Sequence, residues 1–230
     1  MSLVGGTGPF GPHRAGRFNF DPPDHVVFVE PVPRRVSARL DGATVIDTLA
    51  ALLVCESGER THYAFPAVDV RVESRPERHS DGYVVVPWDA MDEWYEEDER
   101  VEVHPRDPYH RIDVFATSRR VTATCNGVVL GDSTETRALF ETSLPARYYF
   151  PVEHVRTDLL EVSTTVTRCA YKGTARHWSA RLGTGVGAEV VTDVAWTYSG
   201  NVRPEAEAIR DRIAFYPDRI ELVVDGTGQG

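Results

Sequence analysis

The chain is poor in the residues that usually announce a chemistry. Only three of its 230 residues are cysteine, and Cys55, Cys125 and Cys169 are odd in number and far apart. Neither a disulfide framework nor a C-x-x-C metal knuckle can be assembled from them. Positive charge is also short: 25 Lys and Arg face 35 Asp and Glu, giving a net charge of -10 and a pI near 5.3. That balance argues against nucleic acid, which needs clustered cations. No run approaches the roughly 18 apolar residues of a membrane helix, and no basic segment followed by an apolar stretch marks the N-terminal residues. His104, His110, His154 and His177 show no H-x-x-x-H or H-E-x-x-H spacing, and the seven acidic residues between Asp89 and Glu99 lack the central glycine of a calcium loop. The expectation is a cytoplasmic, soluble monomer with no metal, no cofactor, no membrane partner and no nucleic acid.

What the chain does have is a repeat. Residues 34–71 align without a gap on residues 119–156 at an offset of 85, with 12 of 38 positions identical. Unrelated segments of ordinary composition would share roughly two or three. A period this long implies tandem small domains rather than a solenoid, and a hydrophobic content of 41% is enough for two packed cores.

Each copy opens with the same β grammar. Val36, Ala38 and Leu40 alternate before Asp41-Gly42, and Val121, Ala123 and Cys125 alternate before Asn126-Gly127. Both dipeptides suit a type I′ hairpin turn, whose two central residues need positive φ. Tyr63-x-Phe65-Pro66 and Tyr148-x-Phe150-Pro151 then close an aromatic strand with a proline that stops ladder pairing. Helix is scarce. Trp88, Met91, Trp94 and Tyr95 have helical spacing after Pro87, and Pro204 to Ile213 reads as a second short helix with proline in its first turn. Residues 1–24, rich in Gly and Pro, read as a mobile arm, although Phe10, Phe18 and Phe20 could dock it as a strap.

The residues Arg120-Val121, Gly127, Asp132-Ser133, Glu141, Arg147-Tyr148-Tyr149-Phe150-Pro151, Cys169-Ala170-Tyr171-Lys172-Gly173, Trp178, Ala195-Trp196-x-Tyr198 and Ala214-Phe215-Tyr216-Pro217 resemble the DUF427 family, also called NTP_transf_9, in its two-unit form. The family's Cys-Pro-Tyr-Lys-Gly carries Ala170 in place of proline here, and His177 stands where a tyrosine usually precedes the tryptophan. The resemblance implies an all-β chain of two tandem β-tent units, antiparallel sheets splayed around an aromatic cleft, with one or two short helices. The implied boundaries are an arm at 1–24, a shortened unit at 25–108, a full unit at 109–226 and a tail at 227–230. Zinc is not implied, since the paired C-x-x-C motifs of some β-tent relatives are missing. The nucleotidyltransferase label finds no Gly-Ser loop followed by Asp-x-Asp to support it.

The copies differ most where the second carries extra residues, so the second is the expected place for a site. Arg147 and Tyr149 share one strand face, and the Arg147 fork suits a carboxylate or phosphate, with Glu141 as the anchor that orients it. Tyr171 and Lys172 beside Gly173 suit contact with an anion. Trp178, Trp196 and Tyr198 would wall an aromatic cage, with His177 beside them. The function expected is binding of a small polar-aromatic or anionic molecule, with no catalytic residue assigned. Two rival readings stand beside it: an enzyme, transferase or hydrolase, using Lys172 or Cys169 with His177 as base, and a protein-interaction scaffold using the arm and the acidic segment.

Overall fold

A computed structural model of the chain describes residues 3–183 and 187–229. The fold is all-β, with four antiparallel sheets, and it divides into two compact units: Met1–Arg111 with Thr142–Leu144, and Ile112–Glu141 with Pro145–Gly230. In the first unit, β1 (Val27–Pro31), β4 (Leu52–Glu56), β5 (His62–Pro66), β7 (Tyr83–Val85) and β6 (Arg75–Pro76) lie in that order across one sheet. The second sheet of this unit runs β3 (Ala43–Thr48), β2 (Val36–Leu40), β8 (Glu93–Glu96), β9 (Glu99–Val101). In the second unit a seven-stranded sheet runs β10 (Ile112–Ala116), β13 (Arg137–Glu141), β14 (Arg147–Phe150), β18 (Ile213–Phe215), β17 (Glu189–Val202), β16 (Gly173–Leu182), β15 (Leu160–Cys169). Its companion sheet runs β12 (Val128–Ser133), β11 (Val121–Cys125), β19 (Glu221–Val224), β20 (Thr227–Gln229). Residues 227–229, expected as a tail, are thus a paired strand.

The offset of 85 holds strand by strand, since each of β1 to β5 begins 85 residues before its counterpart among β10 to β14. Asp41-Gly42 has φ of 50° and 77°, and Asn126-Gly127 has 47° and 80°, which is the conformation a I′ turn demands. Each second strand slips register after its central alanine, Ala38 or Ala123. Arg35 clasps Asp47 with two hydrogen bonds of 2.7 Å, and Arg120 clasps Asp132 at 2.9 and 2.6 Å. The isolated bridges Ile46–Val70 and Gly131–Val155 keep the same spacing.

The copies part at the far edge. In the first unit β7 pairs with β6, which is two residues long, whereas in the second β18 pairs with the 14-residue β17, followed by two 10-residue strands. The enlarged sheet packs on both faces. Ala138, Tyr148, Phe150, Ala195 and Phe215 share a core with Val121, Ala123, Leu222 and Val224 of the companion sheet. Leu139, Tyr149, Trp196, Tyr198 and Ala214 form a separate core on the other face, capped by Ala206 and Ile209. Tyr148 and Tyr149 are neighbours in sequence yet belong to different cores, as strand alternation requires.

The helix expected over Pro87 to Tyr95 does not form. A single 3₁₀ turn covers Trp88–Ala90, and Glu93–Glu96 is β8, with Trp94 opposite Ala38 of β2 and Val101 of β9. Pairing on both edges satisfies the backbone and buries Trp94 to 3% exposure, which a nine-residue helix, marginal by itself, cannot match. The acidic residues of this segment lie on the β8–β9 hairpin and the turn before it, not on a helix face. The second expected helix is a 3₁₀ turn, Pro204–Ile209, shorter than the sequence reading by four residues. The N-terminal arm docks on the first unit: Val4 is 1% exposed within its core, Leu3 and Phe10 pack against it, and Phe10, Phe18 and Phe20 stack in series at 5.2 and 4.7 Å. Among the described residues no helix is long and apolar enough to cross a membrane.

Candidate functional site

Most of the residues singled out from the sequence meet on the outer face of the seven-stranded sheet. Alternation brings Glu141 of β13, Tyr149 of β14 and Trp196 and Tyr198 of β17 to that side, and Tyr216 follows β18 onto it. Tyr149 is 1% exposed; its hydroxyl accepts the Trp196 indole N–H at 3.1 Å, and the two rings meet edge to face at 6.0 Å and 88°. The Tyr216 ring lies 4.2 Å from that of Trp196, and the His177 ring stacks on Tyr216 at 5.9 Å and 15°. An aromatic column therefore runs His177, Tyr216, Trp196, Tyr149. Burial holds the hydroxyls of Tyr149, Tyr198 and Tyr216 above the usual tyrosine range, so all three are neutral phenols.

Beside the column sits a buried ion pair. The Lys172 ammonium donates to Glu141, and both residues are 8% exposed. Lys172 is the only lysine of the chain, against 24 arginines. Its place is fixed by Gly173, whose φ is +102° and whose hydrogen stands where a Cβ would lie 1.9 Å from the Asn201 carbonyl oxygen. The Arg203 N–H donates to the Lys172 carbonyl at 3.2 Å. Only glycine permits that approach of the β16 and β17 backbones. Glu141 was expected to orient Arg147; it serves Lys172 instead. Arg147 is half-buried, stands within electrostatic reach of Tyr149 and Tyr216, and has neither hydrogen bond nor ion pair among the described residues. Its fork is open.

His177 is 3% exposed. Its Nε2 meets the Thr167 hydroxyl at 3.0 Å, while its Nδ1 is buried with no partner. Burial holds the ring below the ordinary histidine range, so it is neutral near pH 7. A buried ring nitrogen left unpaired is costly unless something fills the place.

Other expected members do not join this group. Trp178 projects from the opposite face of β16, where it packs against the inter-sheet core and donates to Thr197 Oγ1 at 3.0 Å. It cannot wall a cage with Trp196, because Trp196 faces His177 across the ladder and Trp178 faces Ala195. Tyr171 is 7% exposed and tied into the interior. Cys169 pairs with Gly173 across β15 and β16, four residues and about 13 Å along the strand from His177, so no thiol–imidazole dyad exists. The Lys172 Nζ is engaged by the Glu141 carboxylate. Among the described residues, no three His, Cys, Asp or Glu side chains gather as a metal ion requires.

Two members of the group were not chosen from the sequence, Tyr216 and Thr167. The alternation of Ala214 and Tyr216, in register with Trp196, was a usable signal for the first; the second depends on a register slip in β15 that no local pattern encodes.

Residues 113–226 match the family model NTP_transf_9, described as a domain of unknown function (DUF427). No curated protein matches the chain.

Proposed function

The second unit carries a DUF427 domain, and on that premise we propose that it binds a small planar molecule bearing an anionic group. Arg147 holds the anion and the His177–Tyr216–Trp196 column receives the ring. One observation carries the reading: an unpaired half-buried guanidinium stands within electrostatic reach of Tyr216, and the imidazole stacked on that ring has a buried nitrogen without a partner. A guanidinium fork matches a carboxylate or phosphate, a neutral Nδ1 can accept or donate one hydrogen bond, and aromatic faces supply apolar area. Lys172 and Glu141 neutralise one another and act as a rigid support. In the same proposal the sheets of each unit form a β-tent, and the first unit is a shortened copy of the second; the strand-by-strand offset of 85 supports this.

A panel of aromatic carboxylates and nucleotides, read by thermal shift on the full chain, tests the site. A ligand at 100 times its dissociation constant stabilises by about 2.7 kcal/mol. Arg147→Gln should remove the shift given by the anion, and His177→Phe should weaken it while leaving the unliganded melting temperature close to wild type. If every hit keeps its shift in Arg147→Gln, the assignment is wrong. Because Lys172 is the only lysine, borohydride treatment with aldehyde or ketone metabolites reads the rival enzyme mechanism at one residue, and trapping there would replace binding by covalent catalysis.

A further inference from the structure

The first unit holds a cavity of about 640 Å³, within the range that encloses a small ligand. Its deep side is aromatic. Trp88 and Trp94 stack at 4.8 Å and 13°, and Tyr63 lies 6.4 and 6.3 Å from them. These rings are fixed from behind: the Trp94 N–H donates to the Trp88 carbonyl at 2.9 Å, and the Tyr63 hydroxyl donates to Glu96, which also receives Arg34. The indole N–H of Trp88, half-buried at the cavity, makes no hydrogen bond among the described residues.

The mouth is basic. Arg60, Arg75 and Arg78 are exposed and line it, together with the carboxylates Glu59 and Asp89. Arg78 is held by Glu56 at 2.7 Å. The guanidinium groups of Arg60 and Arg75 make no hydrogen bond or ion pair among the described residues. Two unengaged guanidinium groups over an aromatic floor stand out in a chain of net charge -10. The position has a reason in the repeat. Between β14 and β18 the second unit inserts three long strands, whereas between β5 and β7 the first has only β6 (Arg75–Pro76) and turns; β6 carries Arg75, and the segment after it Arg78, to the cavity.

We propose that this cavity is a second binding site, distinct from that of the second unit, for a planar aromatic molecule carrying a carboxylate or phosphate. The ring lies against Trp88 and the anion is held by Arg60 and Arg75. Stacking on an indole and pairing with a guanidinium are both tolerant of ring identity, so the chemistry fixes the class of ligand through its charge and planarity.

The test is titration of the full chain carrying Arg147→Gln, which removes the anion partner proposed in the second unit, with adenosine 5′-monophosphate and with indole-3-carboxylate, read by calorimetry, using adenosine and indole as neutral controls. At least one anion should bind, with its neutral counterpart weaker by about ten-fold or more, roughly 1.4 kcal/mol. The Arg60→Gln/Arg75→Gln double substitution should weaken it by a similar factor; both side chains are exposed, so the far-ultraviolet circular dichroism should be unchanged. Trp88→Leu, added to the same background, should weaken the same ligand. Binding of the phosphate alone or of the carboxylate alone supports the proposal and names the source of the anion. In that background, absence of binding by both anions, or binding that survives the added Arg60→Gln/Arg75→Gln substitution, overturns it.

Discussion

The Glu141–Lys172 pair offers the sharpest test of the physical reasoning. The side chains are 6% and 10% exposed, so both charges have left water, and their mutual attraction offsets that loss only while both are present. Removing either partner strands a buried charge and should cost about 3–5 kcal/mol. Removing both leaves an apolar site that should be near neutral, or more stable by about 1–4 kcal/mol. A solvent-exposed pair would instead show about 0.2–1 kcal/mol for each change. The assay is native-state hydrogen exchange on Glu141→Leu, Lys172→Met and the double variant. Amides of β13, β16 and β17 should lose about two to four powers of ten in protection in each single variant, at 1.36 kcal/mol per decade, and recover most of it in the double. Amides of β2 to β4 in the first unit provide the internal reference. If the singles cost under about 1 kcal/mol, or if the double is worse than either, the pair is not the buried, mutually dependent element described above.

Two further outcomes follow from the same structure. Gly173→Ala places a methyl 1.9 Å from the Asn201 carbonyl oxygen at φ +102°; the strained backbone alone costs about 1–3 kcal/mol, and opening of the β16–β17 edge adds to it, so this variant should melt at a clearly lower temperature. A wild-type melting temperature would show that the approach of the two backbones is not required. His177 and His104 are both held below the ordinary histidine value by burial. As pH falls below about 6.5 the unfolded chain takes up protons that the native chain refuses, so stability declines by up to about 1.4 kcal/mol per pH unit for each histidine, until the depressed native values are passed. Urea midpoints at pH 7.5 and 5.5 should differ in wild type and converge in a His104→Gln/His177→Gln variant; an equal pH slope in that variant would sink the assignment.

Much of the fold was legible because its signals are local. Asp41-Gly42 and Asn126-Gly127 specify their turns through the φ preferences of two residues, and alternation alone assigned Tyr148 and Tyr149 to opposite faces. The Trp88 to Tyr95 segment shows where such signals fail. Its apolar spacing suits a helix, yet β2, some fifty residues earlier, offers Trp94 a paired and buried place that a short helix cannot rival. At the candidate site the partial successes have the same origin: Tyr149, Trp196 and Tyr198 followed from strand period, while Trp178 was misplaced because adjacent strand residues face apart.

The sequence by itself determined that one β pattern occurs twice at an offset of 85 residues, and where its hairpins turn. Tertiary structure decided who meets whom. It gave Glu141 to Lys172 rather than to Arg147, bringing the strand end of β13 against the turn before Gly173 although three strands separate β13 from β16 in the sheet and 31 residues separate the pair in the chain. It also left a cavity in the shorter copy, where comparison of the two sequences pointed only to the longer one. Residue identity sets what each side chain can do; packing against distant strands sets which charges are neutralised and which remain open.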